Sequence, residues 1–349
     1  MIRFNCDYSE GAHPAILKKL VETNMEQTPG YGEDHYCAHA AELILKECGN
    51  PKNALVRFIP GGTQTNLIVI SAALRPHQGV IAAETGHVNI HESGAIEATG
   101  HKVLAQRDCV DGKLTAQQVQ KVIDAHYGDE TQVHMVQPKM VYISHPTEMG
   151  TLYTKKELEA LYATCQKNDL YLFIDGARMG YGLTAPGTDL DLKDIAANCD
   201  VFYIGGTKVG ALFGEALVVL NPTLQQDLLY IIKQKGAMFA KGRLMGLQFE
   251  TLFENGLYYE MGRHANEAAT LIREACIKKG LSFLCPSPTN QQFPILPNGM
   301  MKEFAEKYAY ATMDRMDENH TAVRFCTSWA TSMEDARTLA EDILNWQEK

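Results

Sequence analysis

Short apolar runs alternate with longer stretches of helical periodicity along much of this 349-residue chain. Ala54–Phe58, Met140–Ser144, Tyr171–Ile174, Val201–Ile204 and Ala216–Leu220 are brief, apolar and bounded by Gly, Pro or Asp, which predicts buried strands. Between them, Thr115-x-x-Gln118 and Thr154-x-x-Glu157 spell reciprocal helix caps ahead of amphipathic stretches. Strand, helix and strand in alternation predict a mostly parallel sheet covered on both faces, since parallel neighbours need crossover helices.

Past about Gly246 the pattern changes. Leu247 to Lys279 reads as one long helix. Strand candidates follow at Leu281–Leu284, Phe293–Leu296 and Val323–Thr327, then a last helix opened by Ser332-x-x-Asp335. The expected division is an N-terminal arm (1–13), a large α/β domain (14–245) and a small C-terminal α+β domain (246–349).

Composition narrows the field. Hydrophobic residues make up 45% and charged residues 21%, an ordinary globular balance. Forty-two acidic against 32 basic side chains leave a net charge of −10, which argues against a nucleic-acid binder. The first twenty residues carry Arg3, Asp7, Glu10 and two lysines, so they lack the apolar core of a signal peptide. The most apolar run, near Leu67–Leu74, falls far short of the ~20 residues that span a membrane. Nine scattered cysteines form no C-x-x-C pair, which points to free thiols in a reducing cytoplasm. His91-Glu92 is not followed by a histidine at H-E-x-x-H spacing, and no metal is expected.

Ligands of open parallel sheets bind beyond the carboxyl ends of the strands. Three loops at such positions carry unusual residues. In Ile59-Pro60-Gly61-Gly62-Thr63 two glycines and a hydroxyl at a helix start suit a small phosphate, although a plain turn would read the same way. The run matches neither G-x-x-x-x-G-K-[ST] nor G-x-G-x-x-G. In Ile174-Asp175-Gly176-Ala177-Arg178 an acid at the end of an apolar strand needs a positive partner or hydrogen-bond donors: a protonated ring nitrogen would serve, as would an ion pair with Arg178 or a place as a helix cap. In Gly205-Gly206-Thr207-Lys208 a strand-end lysine reaches the same crevice, where partial burial would make it a nucleophile. A lone loop lysine is usually a surface charge. Together, however, the three loops supply the phosphate, ring-nitrogen and aldehyde handles that pyridoxal phosphate requires.

At these residues the chain resembles the fold-type I pyridoxal-phosphate enzymes, and within them the threonine aldolase and β-eliminating lyase family. Tyr31-Gly32-Glu33-Asp34, Gly62-Thr63-Gln64-Thr65-Asn66, Gly86-His87 with Glu92, Asp175-Gly176-Ala177-Arg178, Thr207-Lys208 and Val323-Arg324 carry the resemblance, nearly end to end. It implies a fold-type I transferase architecture and a set of roles. Lys208 would carry pyridoxal 5′-phosphate as a Schiff base, Asp175 would pair with the ring nitrogen, and Gly61, Gly62 and Thr63 would bind the phosphate. His87 would stack on the ring and act as a base, with His134 assisting. Arg178 would contact the cofactor's phenolic oxygen or the substrate carboxylate, and Arg324 would fork onto that carboxylate. Tyr31 is a further substrate contact by resemblance, and Cys6 falls where the family has a substrate-binding serine. Lys235 and Arg243 resemble basic residues that approach the phosphate from a neighbouring subunit, so a homodimer or homotetramer is expected.

The family's residues after the central strand are replaced by Ser144-His145-Pro146-Thr147-Glu148, and its triple glycine by Ala237-Met238-Phe239. The expected reaction is cleavage of a β-hydroxy-α-amino acid, L-threonine or L-allo-threonine, to glycine and an aldehyde. β-Elimination, transamination or desulfuration on an amino acid is the alternative, and a non-catalytic scaffold a third.

Overall fold

The computed structural model describes residues 1–348. The first strand, β1 (Ile2–Arg3), belongs to the arm. Seven more follow: β2 (Leu55–Ile59), β3 (Gln78–Ala83), β4 (Val103–Gln106), β5 (Gln137–Ser144), β6 (Tyr171–Asp175), β7 (Val201–Gly205) and β8 (Glu215–Val219). They form one sheet in the order β2-β8-β7-β6-β5-β3-β4. Only β8 runs against its neighbours, pairing antiparallel with both β2 and β7. The five strands expected from the sequence are all present. β3 and β4 are additional.

Side chains alternate across the sheet, as strand geometry requires. Ile81, Val141, Ile143, Leu172, Ile174, Phe202 and Val218 pack on one face against Ile44, Leu158, Leu161 and Phe249. Val80, Tyr142, Phe173, Tyr203 and Leu217 pack on the other, against Ile68, Val69 and Ile232. With both faces covered, β3, β7 and β8 are buried at every position. The capping boxes at Thr115–Gln118 and Thr154–Glu157 are formed in full.

The long helix expected from Leu247 is two helices, Arg243–Glu254 and Leu257–Lys279. They break at Gly256, whose φ of +74° is left-handed and available to glycine at little cost. Phe249, Leu252, Tyr258, Met261 and Ala265 all join the core of the large sheet. The expected boundary at residue 245 therefore falls inside a helix, and the chain crosses to the second layer along Leu257–Lys279. There Ile272 and Cys276 enter a separate core with Leu296, Val323, Phe325 and Leu339.

That core lies under β9 (Gln291–Gln292), β10 (Ile295–Pro297), β11 (Tyr308–Ala309), β12 (Ala311–Arg315) and β13 (His320–Cys326). Leu281–Leu284 makes only a single bridge, Phe283 to Pro294. β1 pairs in parallel with β11, and Phe4 is buried in the same core, so the arm is stitched to this layer. The closing helix, Met333–Asn345, is capped by Ser332 as its spelling predicts. Among the described residues no helix is long and apolar enough to cross a membrane.

Candidate active site

Because β2, β5, β6 and β7 run the same way and β8 enters from the opposite direction, the loops after β2, β5, β6 and β7 and the start of β8 meet at one sheet edge. A cleft of about 300 Å³ opens there. Its walls include Gly61, Gly62, Thr63, His87, Asp175, Arg178, Thr207 and Lys208. The three loops singled out from the sequence thus converge.

The helix Gly62–Ala73 starts at Gly61 with no side-chain cap, which leaves its first amides pointing at the cleft end of the helix. A Cβ on Gly62 would approach Tyr203 Oη to 3.2 Å, so a side chain there would crowd the loop. Gly176 is more constrained still. A Cβ would fall 1.9 Å from the Tyr203 carbonyl oxygen, which explains glycine directly after Asp175.

Asp175 is fixed from three sides. Tyr142 Oη donates to Oδ2 at 2.6 Å, Asn66 Nδ2 to the same oxygen at 3.1 Å, and the Ala177 amide to Oδ1 at 2.9 Å. Residues 142, 173, 175 and 203 share a sheet face through strand alternation, which puts this acid over the tyrosines and not over the opposite core. Asn66 also donates to Glu92 Oε1 at 2.6 Å, and Glu92 Oε1 accepts from His87 Nδ1 at 2.7 Å. The network extends to Glu148, whose Oε1 accepts from the His87 amide at 2.8 Å and from Ser144 Oγ at 2.6 Å. Burial lowers the His87 pKa, but the Glu92 bond and the Asp175 and Glu92 charges outweigh it, so the net shift is upward.

Lys208 is partly exposed, toward the cleft. Burial and the Arg178 charge pull its amine below the usual lysine range, against Asp7, Asp175 and Glu215. Arg178 does not pair with Asp175. Its Nε and Nη2 form a bidentate bridge to Asp7 at 2.7 and 3.0 Å. Asp7, from the arm, also accepts from Asn290 Nδ2 at 2.9 Å. Burial would raise this acid, but the charges of Arg178 and Lys208 and the bonds from Arg178 and Asn290 hold it at about 2. Nη1 of Arg178 carries no such bond.

Several expected contacts lie elsewhere. His134 is exposed in a short turn before β5, at the end of the strand opposite the cleft. Eight residues at ~3.3 Å each separate the two ends by roughly 26 Å. The assisting role expected of His134 does not survive this placement. Tyr31 is half-exposed under Lys233, with the ammonium 4.7 Å from its ring centre, and borders a different hollow. Arg243 donates to the Thr23 and Glu26 carbonyls and lies over Tyr36. Lys235 offers its carbonyl to Gln64 in the first turn of the phosphate-loop helix. None of these three lines the cleft of its own chain. Cys6 contacts Ser9 at 3.1 Å, beside Asp7. Arg324 is held by Asn5 O and Gln291 Oε1 at 3.0 and 3.2 Å.

A site built from a strand-end lysine, a strand-end acid and an open helix start, on this sheet, defines a fold-type I pyridoxal-phosphate enzyme. The same fold occurs in an aspartate aminotransferase of Thermus thermophilus (TM-score 0.71, 99% of this chain and 91% of that one), where 16% identity speaks for the fold alone. The particular family is resolved by sequence: residues 6–294 match the beta-eliminating lyase family, and the chain belongs to it. It is 30% identical to a low specificity L-threonine aldolase of Pseudomonas aeruginosa over 98% of this chain and 96% of that one. It is 46% identical to a threonine aldolase of Leishmania major, with a TM-score of 0.95 and 98% of each chain covered.

Proposed function

We propose that this chain is a pyridoxal-phosphate-dependent aldolase that cleaves L-threonine and L-allo-threonine to glycine and acetaldehyde. The observation that carries the reading is the meeting of Lys208, Asp175 and the uncapped start of helix Gly62–Ala73 in one cleft, in a chain so similar to threonine aldolases. The residues fit the cofactor: the Lys208 amine has no partner of its own, and the Asp175 carboxylate lies on the cleft wall. When bound, pyridoxal phosphate supplies an electron sink for the pair released as the Cα–Cβ bond breaks.

Lys208 holds the cofactor covalently. The amides of Gly62 and Thr63 bind its phosphate, and Asp175 keeps its ring nitrogen protonated. His87 lies on the cleft wall with Nδ1 committed to Glu92, which leaves Nε2 to take the β-hydroxyl proton. Arg324, and Nη1 of Arg178, would hold the α-carboxylate and so orient the substrate in the cleft. Lys235 and Arg243, and Tyr31 with them, serve the cleft of a neighbouring subunit in a homodimer or homotetramer. A holoenzyme that sediments as an active monomer would rule that arrangement out.

The test is release of glycine and acetaldehyde from each substrate by cofactor-loaded protein. Stoichiometric products support the aldolase. Their absence from protein that still holds the cofactor removes it, and keto acid, ammonia or sulfide release then identifies the alternative.

The Glu92–His87 bond makes a prediction about pH. His87 must be neutral to accept a proton, and Glu92 stabilises its charged form. Glu92→Gln removes that charge, so the acidic limb of kcat/KM for L-threonine should move to lower pH. A limb that stays in place would assign it to another group.

A further inference from the structure

Glu215 opens β8 and stands on the cleft wall, only 4% exposed. Its contacts are neutral donors. Thr207 Oγ1 donates to Oε1 at 2.8 Å and the Gly206 amide to Oε2 at 3.1 Å. A buried carboxylate without a cation in contact is costly unless it takes up a proton or shares charge across a gap. Of the other acids around the cleft, Asp7 has Arg178 and Glu92 has His87, while Glu148, like Glu215, is held by neutral donors, Ser144 and the His87 amide, but Lys208 acts on Glu215 and not on Glu148. Asp175 faces a ring nitrogen in the proposed function. Among the described residues the cation left over is Lys208, whose amine makes no hydrogen bond or ion pair. It follows directly on Thr207, the residue that Glu215 holds.

We propose that Glu215 is the proton partner of Lys208: as the ammonium becomes a free amine, its proton passes to the Glu215 carboxylate, and it returns when the lysine is charged again. An N–H bond breaks with its electron pair left on nitrogen, and an O–H bond forms. The pair is neutral overall on both sides of the exchange. This rests on the reading of Lys208 as the residue that captures the cofactor, because only the uncharged amine is nucleophilic.

The electrostatic setting agrees. Burial pushes the Glu215 carboxyl up to about 8, while burial and Arg178 bring the Lys208 amine down. Glu215 is faced by Thr207 and Lys208 from the turn after β7, by Asp175 from β6, by Tyr203 from β7 and by Tyr258 from helix Leu257–Lys279. Lys208 is faced by Arg178, Asp7, Asp175, His87, His91 and Cys326. Two opposed ionisations drawn toward neutral pH from either side titrate as a pair.

The test is the rate at which the full chain, freed of cofactor, captures pyridoxal 5′-phosphate covalently, followed by visible absorbance across pH. Glu215→Gln removes the charge that keeps a proton on Nζ, so the midpoint of the rate profile should fall by about one unit. Glu215→Asp should bring it back toward the wild type. The glutamine keeps an oxygen for the Gly206 amide, so a merely structural role predicts an unmoved midpoint. An unmoved midpoint in a chain that still captures the cofactor overturns this inference alone. A wild type that captures none, or Lys208→Ala capturing as well as the wild type, overturns the cofactor reading and this inference with it. Should Glu215→Gln not fold, infrared spectra of the cofactor-free wild type decide. A carboxylic-acid band that titrates with the capture rate supports the pair, and no such band at neutral pH overturns it.

Discussion

Lys208→Ala should abolish covalent uptake of pyridoxal phosphate and lower turnover of L-threonine by about 10⁴-fold or more, as removal of a group that acts covalently does. Among the described residues Lys208 is the one lysine on the cleft wall, and the guanidinium of Arg178 stays charged at any working pH, so no second amine there can replace it. The fold should be unaffected. The Lys208 amine makes no hydrogen bond or ion pair in this chain, and the bond that Tyr181 makes is to the Lys208 carbonyl, which alanine retains. Melting temperature close to wild type, together with lost absorbance after gel filtration, is the expected result. A variant that stays coloured after gel filtration and turns over threonine would remove Lys208 from the mechanism.

Much of this site is legible in the sequence because it hangs on strand ends. A run such as Phe173-Ile174-Asp175 announces both the strand and where it stops, so Asp175, Lys208 and the Gly61-Gly62 turn can be placed at one edge from the sequence alone. Strands poor in such signals are harder to see. Gln78-Gly79-Val80-Ile81-Ala82-Ala83 has only two β-branched residues among small ones, yet it lies buried beside β5. Gly256 is masked for a different reason: apolar spacing resumes at once on its far side, and periodicity alone bridges the break. His134 shows the limit of proximity in sequence. A residue next to a strand can lie at either end of it, and only the direction of β5 decides.

The supporting residues were less visible than those they support. Glu148 returns to the cleft through a turn, and Asp7 reaches Arg178 across 171 positions of chain. Glu215 reads as the polar start of a strand, and its position in the cleft follows from β8 running antiparallel to β7. Tyr142 and Tyr203 look like ordinary core aromatics until strand alternation sets them on the face of Asp175. These are pairings at long range, and no local pattern encodes them.

Asp175→Asn tests whether that supporting network serves a charge or merely a shape. The asparagine has the same outline, and its oxygen can still accept from Tyr142 or from the Ala177 amide. Its NH2, however, would meet one of the donors now aimed at the carboxylate. Loss of the negative charge removes what keeps a ring nitrogen protonated opposite it, in a site where Asp175 is only 4% exposed and solvent cannot substitute. The expected fall in kcat for L-threonine is about 10²–10³-fold, the scale for removing one preorganised electrostatic contact. KM should change little, because in the proposed function Arg324 and Arg178 hold the carboxylate from other elements. Cofactor affinity should fall as well, while Lys208 still captures it covalently. Asp175→Glu keeps the charge but pushes one more methylene into the space between Tyr142 and Asn66, so it should not restore the wild-type rate. If Asp175→Asn were within about threefold of wild type in kcat, the acid would be a structural member of the Asn66–Tyr142 network, and the ring-nitrogen contact would have to be sought elsewhere in the cleft.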